Sequence, residues 1–110
     1  MTGPLSTHVL DTGRGRPAEG VPVRLERMTG GAWRPVASGT TDADGRLRDW
    51  VPAGEWRAET YRLVFDTAAY LGAGAFFPEV AVVFAIAEPD RHHHVPLLLS
   101  PFGYTTYRGS

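Results

Sequence analysis

The sequence predicts an all-β domain, a sandwich or a barrel, from the spacing of its turn residues and the alternation of its strands. Thirteen glycines and nine prolines divide the 110 residues into short segments, about eight to twelve residues long, as in sandwiches and barrels. Within several segments apolar and polar side chains alternate, which is typical of strands with one buried face. The length suits one domain with one core, and we expect a single domain over residues 1–110.

Residues 5–11, LSTHVLD, predict the first strand, which a glycine-rich turn segment ends. Residues 21–28, VPVRLERM, alternate regularly and predict the second strand. Gly30 and Gly31 can adopt positive φ angles, so they predict a turn. A weaker strand is expected over residues 33–41, before an Asp- and Gly-rich loop that leads into another extended segment.

The second half of the chain predicts one helix among further strands. Residues 60–67, TYRLVFDT, alternate again, and residues 67–74, TAAYLGAG, form the only predicted helix, a short one. Residues 76–88 predict a strand with large apolar side chains on one face and small alanines on the other, which indicates close packing there. Residues 92–100, HHHVPLLLS, predict the next strand, and residues 105–110 allow a terminal one.

Composition excludes several classes of protein. Hydrophobic residues make up 43% and charged residues 21% of the chain, as in globular domains, and the net charge of −1 favours neither nucleic acid nor an anionic membrane. Without cysteine the chain has no disulfide, thiolate zinc site or cysteine nucleophile. The N-terminal residues do not resemble a secretory signal, and the apolar stretches are too short for a membrane helix. We therefore expect a cytoplasmic protein.

The histidines near the C-terminus are candidates for chemistry. On a strand, His92 and His94 face the same side and His93 faces the other. Two imidazoles on one face, roughly 6–7 Å apart, can converge on a metal or a small polar substrate, although such pairs also occur on solvated faces without a function. Together with His8 they would make a three-histidine zinc site, but no carboxylate spacing supports it.

Other polar groups give weaker signals. Residues 42–45, DADG, lack the further ligands and closing glutamate of a calcium loop and predict a turn. Arg46 follows that turn, and its fork of donors suits a planar, carbonyl-rich ligand, with a surface ion pair as the alternative. No G-x-S-x-G motif marks a serine nucleophile. In the tail, Tyr107, Arg108 and Ser110 could bring a phenol, a guanidinium and a hydroxyl to a site.

Four segments in order cover nearly the whole chain and carry a resemblance to one family. They are LSTHVLDTGRGRPAEGVPVRLER, TDADGRL, YRLVFDT with FFPEV, and HHHVPLLLSPFGYTTYRGS. The chain resembles the transthyretin-related 5-hydroxyisourate hydrolases. The terminal Tyr-Arg-Gly-Ser is the most specific element, because it separates these hydrolases from the hormone-carrying transthyretins.

The resemblance implies a fold, an assembly and a reaction. The fold would be a transthyretin-like β-sandwich of two four-stranded sheets with one short helix. Four chains would form a homotetramer, a dimer of dimers, with active sites in the channel where the dimers meet. The enzyme would hydrolyse 5-hydroxyisourate to 2-oxo-4-hydroxy-4-carboxy-5-ureidoimidazoline, on the route from urate to allantoin, without a cofactor or a metal. The alternative within the same fold is a carrier of a small ligand.

The family's site residues fall on five positions of this chain: His8, Arg46, His94, Tyr107 and Ser110. The resemblance implies that His8, Arg46, His94 and Ser110 are catalytic and that His8, Arg46 and Tyr107 bind the substrate. We expect His94 to be the general base and His8 to orient or protonate, while Arg46 stabilises negative charge. An assisting role for His92 is left open. The family usually has an aromatic residue where this chain has His93, and we expect little catalytic effect because that position faces the other side.

Overall fold

Two β-sheets packed face to face make up the part of the chain that the computed structural model describes, residues 3–109. Within these residues the strands are β1 (Leu5–Asp11), β2 (Arg16–Pro17), β3 (Pro22–Thr29), β4 (Ala32–Thr40), β5 (Arg46–Leu47), β6 (Thr60–Phe65), β7 (Val80–Ala85), β8 (His93–His94), β9 (Leu97–Ser100) and β10 (Gly103–Thr106). One α-helix, α1 (Thr67–Leu71), and one 3-10 turn, Ala53–Glu55, complete the described elements.

Each sheet is built on a path of four strands. The first sheet has the order β10-β9-β1-β2, and the two-residue strands β5 and β8 also pair with β1. The second sheet has the order β4-β3-β6-β7. Strand β1 pairs in parallel with β8 and β9 and antiparallel with β2 and β5. The predicted sandwich of two sheets with one short helix is confirmed, and β1 is the strand on which the short segments of the first sheet converge.

The alternation of β1 decides what the two faces of the first sheet carry. Leu5 and Val9 point inward and are fully buried, while Ser6 and His8 lie half-buried on the outer face. The inner face packs against β3 and β6 of the second sheet in one core cluster, whose largest fully buried side chains include Tyr61, Phe65, Leu25, Leu63, Leu97 and Leu99. Full burial of one such side chain contributes about 1.5–3 kcal/mol. Packing therefore fixes β1 and leaves its polar side chains on the outer face.

Three predicted strands differ from the observed ones by a division or by more than two residues at one end or both. The strand predicted over residues 92–100 is divided into β8 and β9, because Pro96 has no backbone N–H to give to a ladder. The strand predicted over residues 76–88 begins only at Val80. The last strand, β10, precedes most of residues 105–110, because it forms a tight hairpin with β9.

The helix is shorter than residues 67–74. The Asp66 side chain accepts a hydrogen bond from the backbone N–H of Ala69, at 3.2 Å, and so caps the first turn. Gly72 follows the last helical residue with a φ of 99°, which an L-residue with a side chain rarely adopts. Asp66 and Gly72 therefore set the two ends of the helix.

Strand β7 has one covered and one open face. Val80 and Ile86 are buried, as the alternation predicts for this face. On the other face Ala81 and Ala85 are exposed, and Val83 is 58% exposed. The close packing predicted for the alanine face is therefore absent within residues 3–109 of one chain.

The turn between β4 and β5 requires a glycine at position 45. Its φ is 74°, and a Cβ atom there would lie 2.4 Å from the carbonyl oxygen of Val9. We expect Gly45→Ala to lower the free energy of unfolding by more than Gly15→Ala, since Gly15 has a φ of 70° but no atom within 4 Å of the added Cβ. The left-handed conformation alone costs about 1–2 kcal/mol.

Urea denaturation of both variants measures the difference. The strain of the positive φ is common to the two glycines, so the excess loss in Gly45→Ala reports the collision with β1. Equal losses of stability in the two variants would show that the turn can move away from β1 without a cost.

Candidate active site

His8 and Arg46 lie side by side on paired strands. Strand β1 pairs antiparallel with β5, and His8 is directly opposite Arg46, so both side chains share the outer face. The turn before β5 is fixed by Asp42, whose Oδ1 accepts hydrogen bonds from the backbone N–H groups of Asp44 and Arg46, each at 2.9 Å. The bond from Arg46 is the main reason why the pKa of Asp42 is lowered. The guanidinium of Arg46 thus projects from a well-held backbone.

The ring of His8 has a fixed proton position. Its Nε2 lies 2.9 Å from the carbonyl oxygen of Asp44. A carbonyl oxygen only accepts hydrogen bonds, so Nε2 carries the hydrogen, and in the neutral ring the lone pair is on Nδ1. His8 can therefore accept a proton or a hydrogen bond at Nδ1 while Nε2 anchors the ring to the turn.

His94 joins this face from the other edge of β1. Strands β1 and β8 are parallel, with Ser6 paired to His94. Ser6 and His8 are two residues apart on β1 and point to the same side. The pKa of half-buried His94 is lowered, first by burial, then by the positive charge of Arg46, and by His8 and His92 when these two rings are protonated. His94 is consequently a neutral imidazole near pH 7, as a general base requires.

Ser6 connects the two histidines that alternation places on one face. Its Oγ lies 3.0 Å from Nε2 of His92 and 2.8 Å from Nδ1 of His94. The Nδ1 atom of His92 lies 2.6 Å from the carbonyl oxygen of Gly3. Only its position two residues before His8 points to a role for Ser6 in the sequence, and the sequence analysis did not predict this contact.

The C-terminal tail passes directly over His94. The backbone N–H of Gly109 donates to the carbonyl oxygen of His94 at 2.8 Å, and the two residues form a β-bridge. A Cβ atom on Gly109 would lie 2.6 Å from Cδ2 of the His94 ring. The tail is also tied by the Thr106 hydroxyl, which donates to the carbonyl oxygen of Pro96 at 2.8 Å. Only glycine fits between the tail and the imidazole, a role that the sequence analysis did not recognise.

Tyr107 lines a cavity beside the tail. It is 55% exposed and lines a cavity of about 300 Å³ together with His93, Val95 and Arg108. His8, Arg46 and His94 are not among the residues that line this cavity. Ser110 lies outside the described residues. The predicted roles of both residues stay predictions.

The zinc alternative finds no support in the positions of the three histidines. Within residues 3–109, no group of three or more His, Asp or Glu side chains is arranged to hold a metal ion. His8 directs Nε2 to a backbone carbonyl, and His92 and His94 both direct a nitrogen to Ser6.

No helix among the described residues is long and apolar enough to cross a membrane.

Comparison with known sequences decides the family. The profile of the HIUase/Transthyretin family matches residues 5–109, which is nearly the whole chain. The chain belongs to this family.

Relatives within the HIUase/Transthyretin family include both separate enzymes and a fused protein. The chain is 44% identical to 5-hydroxyisourate hydrolase of Mus musculus, covering 99% of this chain and 97% of that protein. It is 47% identical to the uric acid degradation bifunctional protein TTL of Arabidopsis thaliana over 97% of this chain, and it spans 37% of that longer protein.

Solved structures of the family have the same fold. The 5-hydroxyisourate hydrolase of Klebsiella pneumoniae superposes with a TM-score of 0.84 at 37% identity, covering 98% of this chain and 99% of that one. Sea bream transthyretin in complex with thyroxine superposes with a TM-score of 0.89 at 38% identity, covering 96% of this chain and 94% of that one. The fold alone therefore does not distinguish an enzyme from a carrier.

His93 lies on the inner face, opposite to its neighbouring histidines, as alternation predicts. It is 8% exposed, and its ring centroid is 6.1 Å from that of Trp56 in the core. Its Nδ1 donates to the carbonyl oxygen of Arg91 at 2.9 Å. Position 93 is thus filled by an imidazole that packs as a core ring and does not reach the outer face.

The lowered pKa of His94 leads to a test that needs no substrate. Arg46 is the charged residue with the largest effect on this pKa, so Arg46→Gln should raise the pKa of His94 toward its ordinary value of 6.5. Arg48→Gln is the matched control, because Arg48 is an exposed arginine two residues away that is not among the main causes of the shift. NMR titration of the imidazole signals in the three proteins measures the change.

The sign of the shift also sets the expected pH dependence of activity. A base with a lowered pKa stays neutral as the pH falls through 6.5, so the acidic limb of kcat/KM should lie below that pH in the parent protein. A pKa of His94 that is unchanged in Arg46→Gln would mean that the guanidinium is too far away to act on the imidazole.

Proposed function

We propose that this chain is a 5-hydroxyisourate hydrolase that uses His8, Arg46 and His94. The observation that supports the proposal is that all three side chains project from the outer face of the first sheet, with His94 held neutral by burial and neighbouring positive charge. A carrier needs no base of this kind. The substrate is a flat heterocycle rich in carbonyl groups, whose hydrolysis needs a base for water and a donor for a developing oxyanion.

The chemistry follows from the groups on this face. His94 takes a proton from water as its oxygen bonds to a ring carbonyl carbon, a contribution typically worth about 10²–10⁴-fold. Arg46 donates to the carbonyl oxygen on which negative charge develops. The ring C–N bond then breaks, and the leaving nitrogen takes up a proton. His8, held through Nε2, orients the water or substrate at Nδ1 or, when Nδ1 carries a proton, protonates the leaving nitrogen.

We propose that the tail and a homotetramer, a dimer of dimers, complete the site. Tyr107 and Ser110 would grip the edge of the substrate ring and exclude bulk water. The outer face is open in a single chain, and apolar side chains remain exposed elsewhere, with Val83 58% and Phe102 80% exposed. These exposed groups support assembly. We also propose that the reaction needs no metal. The cytoplasmic location stays a prediction.

The test follows 5-hydroxyisourate generated in situ from urate by urate oxidase and measures its decay in the ultraviolet. We expect decay far above the spontaneous rate in the presence of the protein, and the same rate after exhaustive treatment with a chelator. Decay at the spontaneous rate would reject the enzyme and favour the carrier. Loss of the added rate on chelation, with recovery on addition of zinc, would reject a metal-free reaction.

A further inference from the structure

Ser6 lies in the middle of a continuous hydrogen-bond chain that ends on His94. The carbonyl oxygen of Gly3 is 2.6 Å from Nδ1 of His92, Nε2 of His92 is 3.0 Å from Oγ of Ser6, and this Oγ is 2.8 Å from Nδ1 of His94. The two distances to Ser6 fall in the normal range for hydrogen bonds, and the distance from His92 to Gly3 is slightly shorter than that range. The chain runs along the outer face from the N-terminal segment to the proposed base.

The Gly3 carbonyl decides which groups donate and which accept along this hydrogen-bond chain. The Gly3 carbonyl can only accept, so Nδ1 of His92 carries a hydrogen. In neutral His92 the other nitrogen, Nε2, is then an acceptor, and it takes the one hydrogen of the Ser6 hydroxyl. With that hydrogen committed, Ser6 can only accept from Nδ1 of His94. His94 must therefore carry its hydrogen on Nδ1.

We infer that Ser6 and His92 are positioning residues that hold neutral His94 in the Nδ1–H tautomer, so that its Nε2 lone pair is the one that takes the proton from water. A histidine imidazole in water favours the opposite tautomer, with the hydrogen on Nε2. In that tautomer Nε2 has no lone pair with which to accept a proton. Which nitrogen is protonated depends on the partner of the other nitrogen, and here that partner is Ser6.

The same contact supports the protonated state. When His94 takes a proton at Nε2, its Nδ1–H group keeps donating to the Ser6 hydroxyl, and a hydrogen bond from a charged donor is stronger than one from a neutral donor. His8 has the opposite arrangement, with the hydrogen on Nε2 and the lone pair on Nδ1. The two histidines of the face thus accept protons at different ring nitrogens.

The first test reads the tautomers directly and needs no substrate. The full chain, labelled with nitrogen-15 at histidine, is measured at about pH 8, above the ordinary histidine pKa of about 6.5. Long-range proton–nitrogen spectra distinguish the two neutral tautomers. We expect the Nδ1–H tautomer for His94 and His92 and the Nε2–H tautomer for His8. An Nε2–H tautomer at His94 in the parent protein would overturn the inference.

Matched variants then test whether the hydrogen-bond chain causes the Nδ1–H tautomer of His94. In His92→Gln the amide oxygen still accepts from Ser6, so His94 should keep its Nδ1–H tautomer. In His92→Phe this acceptor is lost, and the Nε2–H tautomer of His94 should gain population. Because His92 is exposed, neither change removes a core side chain. Identical spectra of His94 in the two variants would overturn the role of His92.

Ser6 is tested by its effect on kcat, a step that rests on the proposed function. We expect Ser6→Ala to lower kcat roughly fivefold, equivalent to about 1 kcal/mol at 1.36 kcal/mol per tenfold, the usual value of one hydrogen bond. KM should change little, and Ser6→Thr, which keeps the hydroxyl, should restore kcat. A parent kcat in Ser6→Ala, or the same loss in Ser6→Thr, would overturn the positioning role.

The two proposals can fail separately. If the parent protein does not hydrolyse 5-hydroxyisourate but His94 shows the Nδ1–H tautomer, the proposed function is wrong and the hydrogen-bond chain stands. If hydrolysis is fast and His94 shows the Nε2–H tautomer, the proposed function stands and the donor and acceptor order inferred for the hydrogen-bond chain is wrong.

Discussion

Replacing His94 by asparagine should lower kcat for 5-hydroxyisourate by about 10²–10⁴-fold, the usual contribution of a general base. The amide of asparagine can still donate to Ser6 from nearly the position of the His94 Nδ1 atom, but it has no basic nitrogen to replace Nε2. The loss should therefore appear in kcat, while the local hydrogen bonding is preserved. Steady-state kinetics with freshly generated substrate, and circular dichroism of the variant, measure the two effects.

His93→Phe is the control for this experiment. The position is adjacent in sequence, but the side chain lies against Trp56 on the inner face. Phenylalanine keeps an aromatic ring in the core, so we expect kcat close to that of the parent protein. If His94→Asn retained the parent kcat, or if His93→Phe lost as much as His94→Asn, then the assignment of the base to the outer face would be wrong.

Much of the fold could be predicted because it depends on local alternation. A period of two along β1 separates buried from outward residues without knowledge of the partner strands, and along β6 it does so except at Val64, which is also buried. The same rule placed His92 and His94 on one face and His93 on the other, as the buried position of His93 confirms. Even the division of the last long strand has a local cause in Pro96, although we did not predict it.

The details of the candidate site could not be predicted in this way, because they depend on the register between distant strands. Ser6 and His94 are 88 positions apart in sequence, and only the parallel pairing of β1 with β8 brings them together. The turn at Gly45 places Arg46 opposite His8, which the Asp- and Gly-rich composition of that loop does not reveal. A side-chain contact across strands needs the register to be known to one residue.

Deleting residues 107–110 should reduce hydrolysis of 5-hydroxyisourate by roughly 10²-fold or more, the scale of losing one stabilising group in a catalytic site. The fold should survive, because Leu97 and Leu99 are fully buried and the β9–β10 ladder ends at Thr106, before the deletion. Light scattering and thermal denaturation should show the parent mass and a similar melting temperature. An unchanged rate in the truncated protein would remove the tail from the mechanism.

Gly109→Ala separates the position of the tail from its chemical groups. The added Cβ would lie 2.6 Å from the His94 ring, so the tail or the imidazole has to move, and a displacement of about 1 Å can cost about 10²-fold in rate. We expect a loss of roughly 10- to 100-fold, with Gly54→Ala as the control, since an added Cβ at Gly54 meets no atom within 4 Å.

The comparison of these variants shows what the tail contributes. Gly109→Ala keeps Tyr107 and Ser110 and disturbs the surroundings of His94, whereas the deletion removes these groups and frees the imidazole of its cover. A deletion that costs more than Gly109→Ala would mean that the tail supplies groups to the reaction. Equal losses would mean that its main effect is to hold His94, and a parent rate in Gly109→Ala would mean that the ring has room to move without leaving its catalytic position.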